Sequence, residues 1–232
     1  MDSASNGVPA SAPAAPAGPR TVLFDFDGVI TVADSFGLFV RQCYARAPWR
    51  KVLALGTVPW LALTWPISWK LPVRTLVHVA LLGVGEQRYG VAARGFAAEL
   101  VRRPRQFNRD ALLALRRHQS DGDRVIVVTG CEYTLVRGLL DELGLSEVEV
   151  VASRLVPGWA GMRVRLHNVG QAKLRSLAEA GITCWERAYS DSAQDIPMLK
   201  AAAQAVLVNA SPKLCKQVER ALGRSIERVA WY

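Results

Sequence analysis

Short apolar runs and amphipathic stretches alternate along this chain. The short runs, rich in branched and aromatic residues, predict buried strands at 21–27, 124–129, 148–152, 185–190 and 205–209. The stretches between them repeat apolar residues every three or four positions and predict helices at 132–143, 171–180, 193–203 and 212–222. Residues 155–166, with two glycine-containing turns, predict a small hairpin. The alternation predicts an α/β fold with a Rossmann-like, mostly parallel sheet covered by helices on both faces.

One long segment departs from this alternation. Between Lys51 and Lys70 lie eighteen residues without a charge, and 71–84 adds a second apolar stretch that only Arg74 and His78 interrupt. This segment predicts a helical, apolar cap that is inserted after the first strand. The chain therefore divides into a disordered, Ala-, Pro- and Ser-rich tail at 1–20, an α/β core at 21–34 and 110–232, and the cap at 35–109.

The net charge is concentrated in the insert. The formal charge of the chain is +9, whereas residues 35–109 hold twelve Lys and Arg against two Glu, so the rest is close to neutral. The four cysteines lack metal-ligand spacing and the density of a disulfide scaffold, which indicates a reducing compartment. Basic residues beside apolar runs favour an anionic membrane as partner. They disfavour nucleic acid, because they are not interleaved with stacking aromatic residues.

Two carboxylates follow the first predicted strand. Asp25 ends the apolar run that begins at Thr21, so its side chain is expected at the carboxyl edge of the sheet, where ligands bind in open α/β sheets. There it can serve as nucleophile and metal ligand at once. Asp27 lies two residues later and, if the chain stays extended, on the same side, which suits it to protonate a leaving alkoxide and then to deprotonate water. The pair indicates phosphoryl transfer, in which Mg²⁺ offsets the charge of the phosphate.

Three later motifs complete a pattern that resembles a known superfamily. They are Thr129 after a predicted strand, Gly170-Gln171-Ala172-Lys173 at a helix start, and Asp191-Ser192-Ala193-Gln194-Asp195. In this order, after Asp25-Phe26-Asp27-Gly28, they resemble the haloacid dehalogenase superfamily and its phosphoserine-phosphatase-like branch. The segment 34–41, the apolar insert and the lysine motif are similar to the phosphatidylglycerophosphatase C family. The similarity covers residues 21–232.

The resemblance implies a Mg²⁺-dependent phosphatase that forms an aspartyl-phosphate. Asp25 would be the nucleophile, and Asp27 the acid and base as well as a metal ligand through its backbone carbonyl. Dehalogenases of the superfamily lack the second aspartate, so Asp27 favours phosphate chemistry. By the same resemblance the phosphate would be held by Thr129, Gly130 and Lys173, and the metal by Asp25, Asp27, Asp191 and, in an outer position, Asp195.

The position of the insert limits how it can meet a membrane. Asp25 precedes it and the other motifs follow it, so the insert must cross a bilayer an even number of times or not at all. Eighteen uncharged residues fall short of the roughly 20 that a spanning helix needs, and Pro59 and Pro66 interrupt them. These features favour a bent, peripheral or re-entrant hairpin on the cytoplasmic face of a bacterial inner membrane. Its predicted membrane contacts are Trp60, Leu61, Trp65 and Trp69.

Three functions remain open at this stage. The first is a membrane-associated phosphatase that converts phosphatidylglycerol phosphate to phosphatidylglycerol. The second is a soluble phosphatase for a small metabolite such as phosphoserine, with the insert as an ordinary cap. The third is a catalytically silent module that binds phosphate or lipid, against which the intact aspartate pair argues. The candidate contacts to the substrate head group are Asp34, Arg41, Arg163, Arg165 and His167.

Overall fold

The fold is built around one central sheet in the computed structural model, which describes residues 19–232. Its strands are β1 Thr21–Phe24, β2 Arg124–Glu132, β3 Glu149–Gly158, β4 Gly161–Leu166, β5 Arg187–Ser190, β6 Gln204–Val208 and β7 Glu227–Val229. They lie in the order β4-β3-β2-β1-β5-β6-β7. All neighbours pair in parallel except β3 and β4, which are antiparallel.

Helices connect the parallel strands and form the insert. In chain order they are α1 Ser35–Arg46, α2 Trp49–Gly56, α3 Val58–Thr64, α4 Lys70–Ala80, α5 Glu86–Val101, α6 Arg109–Ser120, α7 Tyr133–Glu142, α8 Gln171–Glu179, α9 Ile196–Ala201 and α10 Pro212–Leu222. A short 3-10 turn, Ala193–Asp195, precedes α9. A sheet covered in this way buries both of its faces, which explains why its strands are continuous apolar runs.

The two faces of the sheet have separate cores because successive side chains of a strand point to opposite sides. In β1, Val22 and Phe24 face a core that includes α5, α6 and α7, whereas Leu23 faces a core that includes α8, α9 and α10. All three side chains are fully buried. β1 is therefore the centre of the fold, with β2 on one side and β5 on the other.

The predicted α/β class is confirmed, and the differences lie in the ends and number of the elements. β1 ends at Phe24 and not at residue 27, because the chain turns at Gly28, whose φ is +80°. The predicted helix 193–203 is the 3-10 turn followed by α9. α6 and the three-residue β7 were not predicted. β3 is longer than expected and runs from the sheet directly into the predicted hairpin.

The insert consists of two parts that pack differently. α5 lies against α7, where Gly138 leaves room for Ala97, since a Cβ at 138 would come 3.2 Å from the Ala97 Cβ. By contrast, α2 has no buried residue, and α3 buries only Thr64. The outer part of the insert is thus an apolar layer that the rest of residues 19–232 leaves uncovered.

The end of α4 joins the insert to the hairpin. Gly83 N donates to Ala160 O at 2.8 Å, and His78 Nδ1 lies 3.1 Å from Met162 O. None of the helices in residues 19–232 has the length and apolar character needed to cross a membrane. Of the predicted tail, residues 1–18 lie outside the described part, whereas Arg20 forms an ion pair with Asp123 at 2.9 Å.

Candidate active site

Asp25 lies at the carboxyl edge of the sheet, as predicted. Its backbone N–H donates to Tyr189 O at 2.9 Å, which continues the pairing of β1 with β5 by one residue. Its Oδ1 accepts from Phe26 N at 2.7 Å and lies 3.1 Å from Lys173 Nζ. The strand therefore presents a buried carboxylate whose position is fixed by the sheet itself.

Asp27 is held by the loop that enters α1. Its Oδ1 accepts hydrogen bonds from Ser35 N at 2.9 Å, Ser35 Oγ at 2.7 Å and Thr31 Oγ1 at 3.0 Å. The pKa of Asp27 is raised to about 6, because the effect of burial is larger than the opposite effect of the hydrogen bonds from Ser35. A carboxyl group with a pKa near neutrality suits both the donation and the acceptance of a proton. Ser35 and Thr31 were not among the predicted site residues.

Lys173 bridges two aspartates. Its Nζ lies 3.1 Å from Asp25 Oδ1 and 2.7 Å from Asp195 Oδ2, and all three side chains are buried. Asp195 Oδ2 also accepts from Ser190 Oγ at 2.8 Å. Burial lowers the pKa of Lys173, but Asp25 and Asp195 outweigh it, so the pKa is raised and the ammonium is retained. The Asp195 carboxylate is occupied by Lys173 and Ser190, which agrees with an outer role at the metal site.

Asp191 lies against the turn after β1. A Cβ at position 28 would come 1.9 Å from Asp191 Oδ2, so only glycine leaves space for this carboxylate. The φ of +80° at Gly28 independently favours glycine. The absence of a side chain at Gly28 thus allows Asp191, in the last motif of the chain, to lie against the first motif.

The charges around these aspartates fit a hard dication. Burial raises the pKa of Asp25 well above its ordinary value, although Lys173 lowers it, and burial also raises the pKa of Asp191. The group therefore holds more carboxylates than the one ammonium can compensate. Across residues 19–232 no three Asp, Glu, His or Cys side chains form a metal site on their own. Two carboxylates, Asp25 and Asp191, with the Asp27 carbonyl agree with Mg²⁺, which usually takes one or two carboxylates and keeps several waters.

Thr129 and Gly130 are fixed by side chains that the sequence did not point to. Thr129 is buried near the end of β2, and its Oγ1 accepts from Cys131 N at 3.0 Å. Ser153 Oγ donates to Gly130 O at 2.6 Å, and Asn168 Nδ2 donates to Thr129 O at 3.2 Å. These contacts tie the predicted phosphate-binding residues to β3 and to the segment before α8. Only the tertiary structure brings Ser153 and Asn168 to this place.

The predicted contacts to the head group have different surroundings. Asp34 caps α1, since its Oδ1 accepts from Gly37 N at 2.8 Å. Arg41, Arg163 and Arg165 are exposed, the first on α1 and the other two on β4. His167 is half-buried, and its ring centroid lies 5.4 Å from that of Trp69. The structure therefore leaves Arg41 as a surface charge on α1 and Arg163 and Arg165 as surface charges on the hairpin, and it gives Asp34 a structural contact.

A narrow cleft connects Gly130, one of the predicted phosphate-binding residues, with the insert. It has a volume of about 50 Å³ and lies between α1, α4 and the hairpin. The cleft is lined by Gly130, by apolar residues such as Val77, and by three basic or titratable residues, Arg74, Arg154 and His167. Burial lowers the pKa of His167, and Lys70 and Arg74 lower it further. The imidazole therefore stays neutral in this basic region.

The predicted membrane contacts are largely exposed. Trp60, Trp65 and Trp69 have 50%, 64% and 41% of their surface exposed, and Leu61 is partly buried. Trp159, at the tip of the hairpin beside the insert, is fully exposed and was not predicted. The same segment of the chain has further exposed apolar residues, which are Val52, Leu53, Leu55, Val58, Leu63 and Ile67.

Comparison with known proteins gives the family and the fold of this chain. The family model described as haloacid dehalogenase-like hydrolase matches residues 22–200. A Bordetella pertussis protein of unknown function is similar with a TM-score of 0.67 and 18% identity, over 90% of this chain and 98% of that one. A substrate-bound phosphoserine phosphatase is similar with a TM-score of 0.57 and 19% identity, over 90% of this chain and 93% of that one. A HAD family hydrolase from Salmonella enterica serovar Typhi is similar with a TM-score of 0.63 and 12% identity, over 92% of this chain and 70% of that one.

Proposed function

This chain belongs to the haloacid dehalogenase-like hydrolase family. From that premise we propose that it is a phosphatase, a Mg²⁺-dependent phosphomonoesterase that acts on a lipid phosphate at a membrane surface. The specific substrate we propose is phosphatidylglycerol phosphate. The catalytic part of the proposal is supported by the buried group of Asp25, Lys173 and Asp195. The lipid part is supported by the exposed apolar face of the insert, and that face is the observation that carries the choice of substrate.

The chemistry proceeds in two displacements at phosphorus. In the first, a carboxylate oxygen of Asp25 bonds to phosphorus as the bond to the leaving alkoxide breaks, and Asp27 gives its proton to that alkoxide. In the second, Asp27 takes a proton from water, the resulting hydroxide bonds to phosphorus, and Asp25 leaves as a free carboxylate. The pKa of Asp27, about 6, allows both transfers near neutral pH.

The other residues hold the reacting group. Lys173, within 3.1 Å of Asp25 Oδ1, is placed to stabilise the negative oxygens of the phosphoryl group. Thr129 and Gly130 would hold the same group from the end of β2. Mg²⁺, when bound by Asp25, Asp191 and the Asp27 carbonyl, supplies the positive charge that lets an anionic nucleophile approach an anionic phosphate.

The apolar face of the insert supports a lipid as the source of the phosphate. A monomeric soluble protein rarely exposes a large contiguous apolar surface, and such surfaces are typical of interaction sites. α2 and α3 expose tryptophan, leucine and valine beside basic residues, a combination typical of interfacial helices. Each basic residue near an anionic surface adds about 1 kcal/mol of attraction. The cleft between α4 and the hairpin reaches Gly130, and α4 also contacts α2 and α3.

A small phosphomonoester remains the second candidate. The cleft holds only about 50 Å³, which suits a compact leaving group. Some of the similar structures are phosphoserine phosphatases, and at 19% identity they support the shared fold. The two candidates predict different preferences in one assay.

The test is a phosphate-release assay with matched substrates. Phosphatidylglycerol phosphate in anionic vesicles is compared with phosphoserine, each with Mg²⁺ and with a chelator, and Asp25→Asn serves as the inactive control. We expect Mg²⁺-dependent release from the lipid at a kcat/KM well above that for phosphoserine. Preference for phosphoserine would overturn the lipid substrate and leave the phosphatase intact. Release by Asp25→Asn at the wild-type rate would overturn the catalytic assignment.

A further inference from the structure

A second cavity, of about 210 Å³, lies between α1, the start of α2 and α5. Its lining combines apolar side chains, among them Phe39 and Tyr89, with three arginines. None of the catalytic aspartates, Lys173 or Thr129 lines it. The volume has room for roughly seven water molecules, which is enough for a phosphate group. The arginines are Arg46, Arg50 and Arg88.

The positive charge of this cavity has little compensation. Arg46 Nη2 lies 3.9 Å from Glu99 Oε2, and the same carboxylate already accepts from Arg103 at 2.6 Å. Within residues 19–232, neither Arg50 nor Arg88 forms an ion pair. Glu99 is therefore shared between Arg46 and Arg103, and no carboxylate in this part of the chain compensates the charges of Arg50 and Arg88.

Two buried polar atoms in the lining lack hydrogen-bond partners. They are Arg50 Nε and Gln42 Oε1, for which residues 19–232 provide no partner. Arg50 Nη2 donates to Leu82 O at 2.8 Å, so the guanidinium is anchored while its Nε–H remains free. A buried donor without an acceptor is unfavourable, and a guanidinium pairs best with the oxygens of a phosphate or a carboxylate. Both atoms lack accessible surface, and Gln42 Oε1 is an acceptor. The attraction for an anion therefore comes from the charge of the Arg50 guanidinium group as a whole, together with Arg88.

The surroundings favour a lipid over a free anion. The Arg50 guanidinium lies 5.2 Å from the centroid of the Trp49 ring, which is half exposed. Trp49 begins α2, whose Val52 and Leu53 are also exposed. The basic cavity therefore opens next to the apolar face, so one ligand with an anionic head and an apolar tail can satisfy both.

We propose that this cavity binds the phosphate head group of an anionic phospholipid, as a second lipid site separate from the catalytic site. The head group pairs with Arg50 and Arg88, and the acyl chains lie along the exposed side of α2. The site anchors the insert at the membrane whether or not the substrate is a lipid, so the proposal does not depend on the proposed function.

Cys43 provides a direct measurement, because it lines the cavity and is partly buried. Labelling of the full chain by a maleimide is followed at each cysteine by mass spectrometry. Cys184 is exposed, lies on the loop between α8 and β5, and serves as the internal control. The ligand is dihexanoyl phosphatidylglycerol below its critical micelle concentration, so no membrane surface shields the protein. Dihexanoyl phosphatidylcholine and inorganic phosphate are the comparison ligands.

We expect dihexanoyl phosphatidylglycerol at about ten times its Kd to slow labelling of Cys43 roughly tenfold, with Cys184 unchanged. Arg50→Gln and Arg88→Gln should each lose this protection. Arg94→Gln, which removes the same charge from an exposed position of α5 outside the cavity, should keep it. Arg88 is exposed, so its variant tests the site even if Arg50→Gln fails to fold.

Three results would overturn the proposal. Equal protection by inorganic phosphate would make the cavity an anion site, and equal protection by dihexanoyl phosphatidylcholine would make it an apolar one. Protection that survives both Arg50→Gln and Arg88→Gln would place the lipid elsewhere. None of these readouts requires turnover, so they stand apart from a failure of the phosphatase assay.

Discussion

The aspartates of the active site lie within one buried cluster, yet each has a different electrostatic environment. Asp195 is paired with Lys173, so its pKa falls below the ordinary value although burial raises it. Burial dominates at Asp25 and Asp27, whose pKa values are raised. In the proposed mechanism these environments divide the work: Asp195 holds the lysine, Asp25 attacks phosphorus, and Asp27 exchanges protons.

Asp25→Asn should abolish turnover and leave the fold intact. The change removes the attacking oxygen's charge and one anionic metal ligand while keeping the volume of the side chain, so we expect a loss of about 10³-fold or more in kcat. Phosphate release measures the loss, and circular dichroism checks the fold. An unfolded variant would mean that Asp25 is needed for structure, and an active one would remove it from the nucleophile position.

Asp27→Asn should lose activity but gain stability at neutral pH. Its folded-state pKa of about 6 lies above the unfolded value, so ionisation destabilises the metal-free fold as the pH rises from about 4 through 6. Asparagine is never charged, and the variant should be more stable by roughly 1–3 kcal/mol at pH 7.5. Its kcat should fall about 10²–10⁴-fold.

Urea unfolding in the presence of chelator checks this expectation at two pH values. At pH about 4 the wild type and the variant should differ much less in stability, because folded Asp27 is then protonated and the unfolded side chain is only about half ionised. A variant that is less stable than the wild type at pH 7.5 would show that the hydrogen bonds from Ser35 and Thr31 outweigh the burial of the charge.

Gly28→Ala should inactivate the enzyme by displacing Asp191. The new Cβ would come 1.9 Å from Asp191 Oδ2, in addition to the strain of a φ of +80°. Gly122 is the matched control, because its φ is also +80° and no atom lies within 4 Å of its Cβ position. Gly122→Ala should cost about 1–2 kcal/mol of stability and no activity. Equal losses of activity in the two variants would mean that backbone strain alone is responsible.

The charged residues of the site could be predicted from the sequence, whereas the side chains that fix Thr129 and Gly130 could not. Asp25, Lys173 and Asp191 could be found because each comes at the end of a strand or the start of a helix, in an order with chemical meaning. Ser153 and Asn168 are ordinary polar residues in the sequence. Their contacts with Thr129 and Gly130 exist only because β3 and the segment before α8 pack against the end of β2.

Among the elements, the strands were predictable and the packing of the insert was not. A buried parallel strand is a continuous apolar run, and β2 and β6 follow that rule. β7 has three residues, two of them charged, and forms only because β6 offers it a free edge. The apolar residues of α5 are buried by α7, whereas those of α2 are exposed. Periodicity alone does not distinguish the two cases.

The outer helices of the insert should bind anionic vesicles through their apolar side chains. Replacement of Trp60, Leu61 and Trp65 by serine should release the protein from phosphatidylglycerol vesicles and lower activity on vesicle-borne lipid phosphate, because apolar burial drives interfacial binding. Activity on a small soluble phosphomonoester should be largely unchanged. Vesicle flotation and phosphate release measure the two effects.

Leu113→Ser is the control for this experiment, since Leu113 is 65% exposed on α6. It should leave vesicle binding unchanged. If the triple variant binds vesicles as well as the wild type does, the insert is an ordinary cap. If it loses activity on the soluble substrate as well, the three side chains are needed for the fold.

At the scale of the whole molecule, the uneven charge should make membrane binding sensitive to salt. The insert carries all of the excess positive charge, and attraction between exposed charges is screened over roughly 8 Å at physiological ionic strength. Binding to anionic vesicles should therefore weaken steadily with added salt, while binding to neutral vesicles, driven by the apolar face, should not. Flotation at increasing salt measures both. Salt-independent binding to anionic vesicles would leave the charge without a role.

The central position of β1 has a consequence for the time at which the enzyme becomes active during synthesis. β1 is made first, but its partners β2 and β5 and the carboxylate of Asp191 follow the insert. At 5–20 residues per second, the ribosome needs about 10–30 s to proceed from Asp25 to Asp191. The apolar helices emerge early in that interval, before the sheet that supports them can close. A nascent chain can thus meet a membrane or a chaperone well before it can turn over substrate.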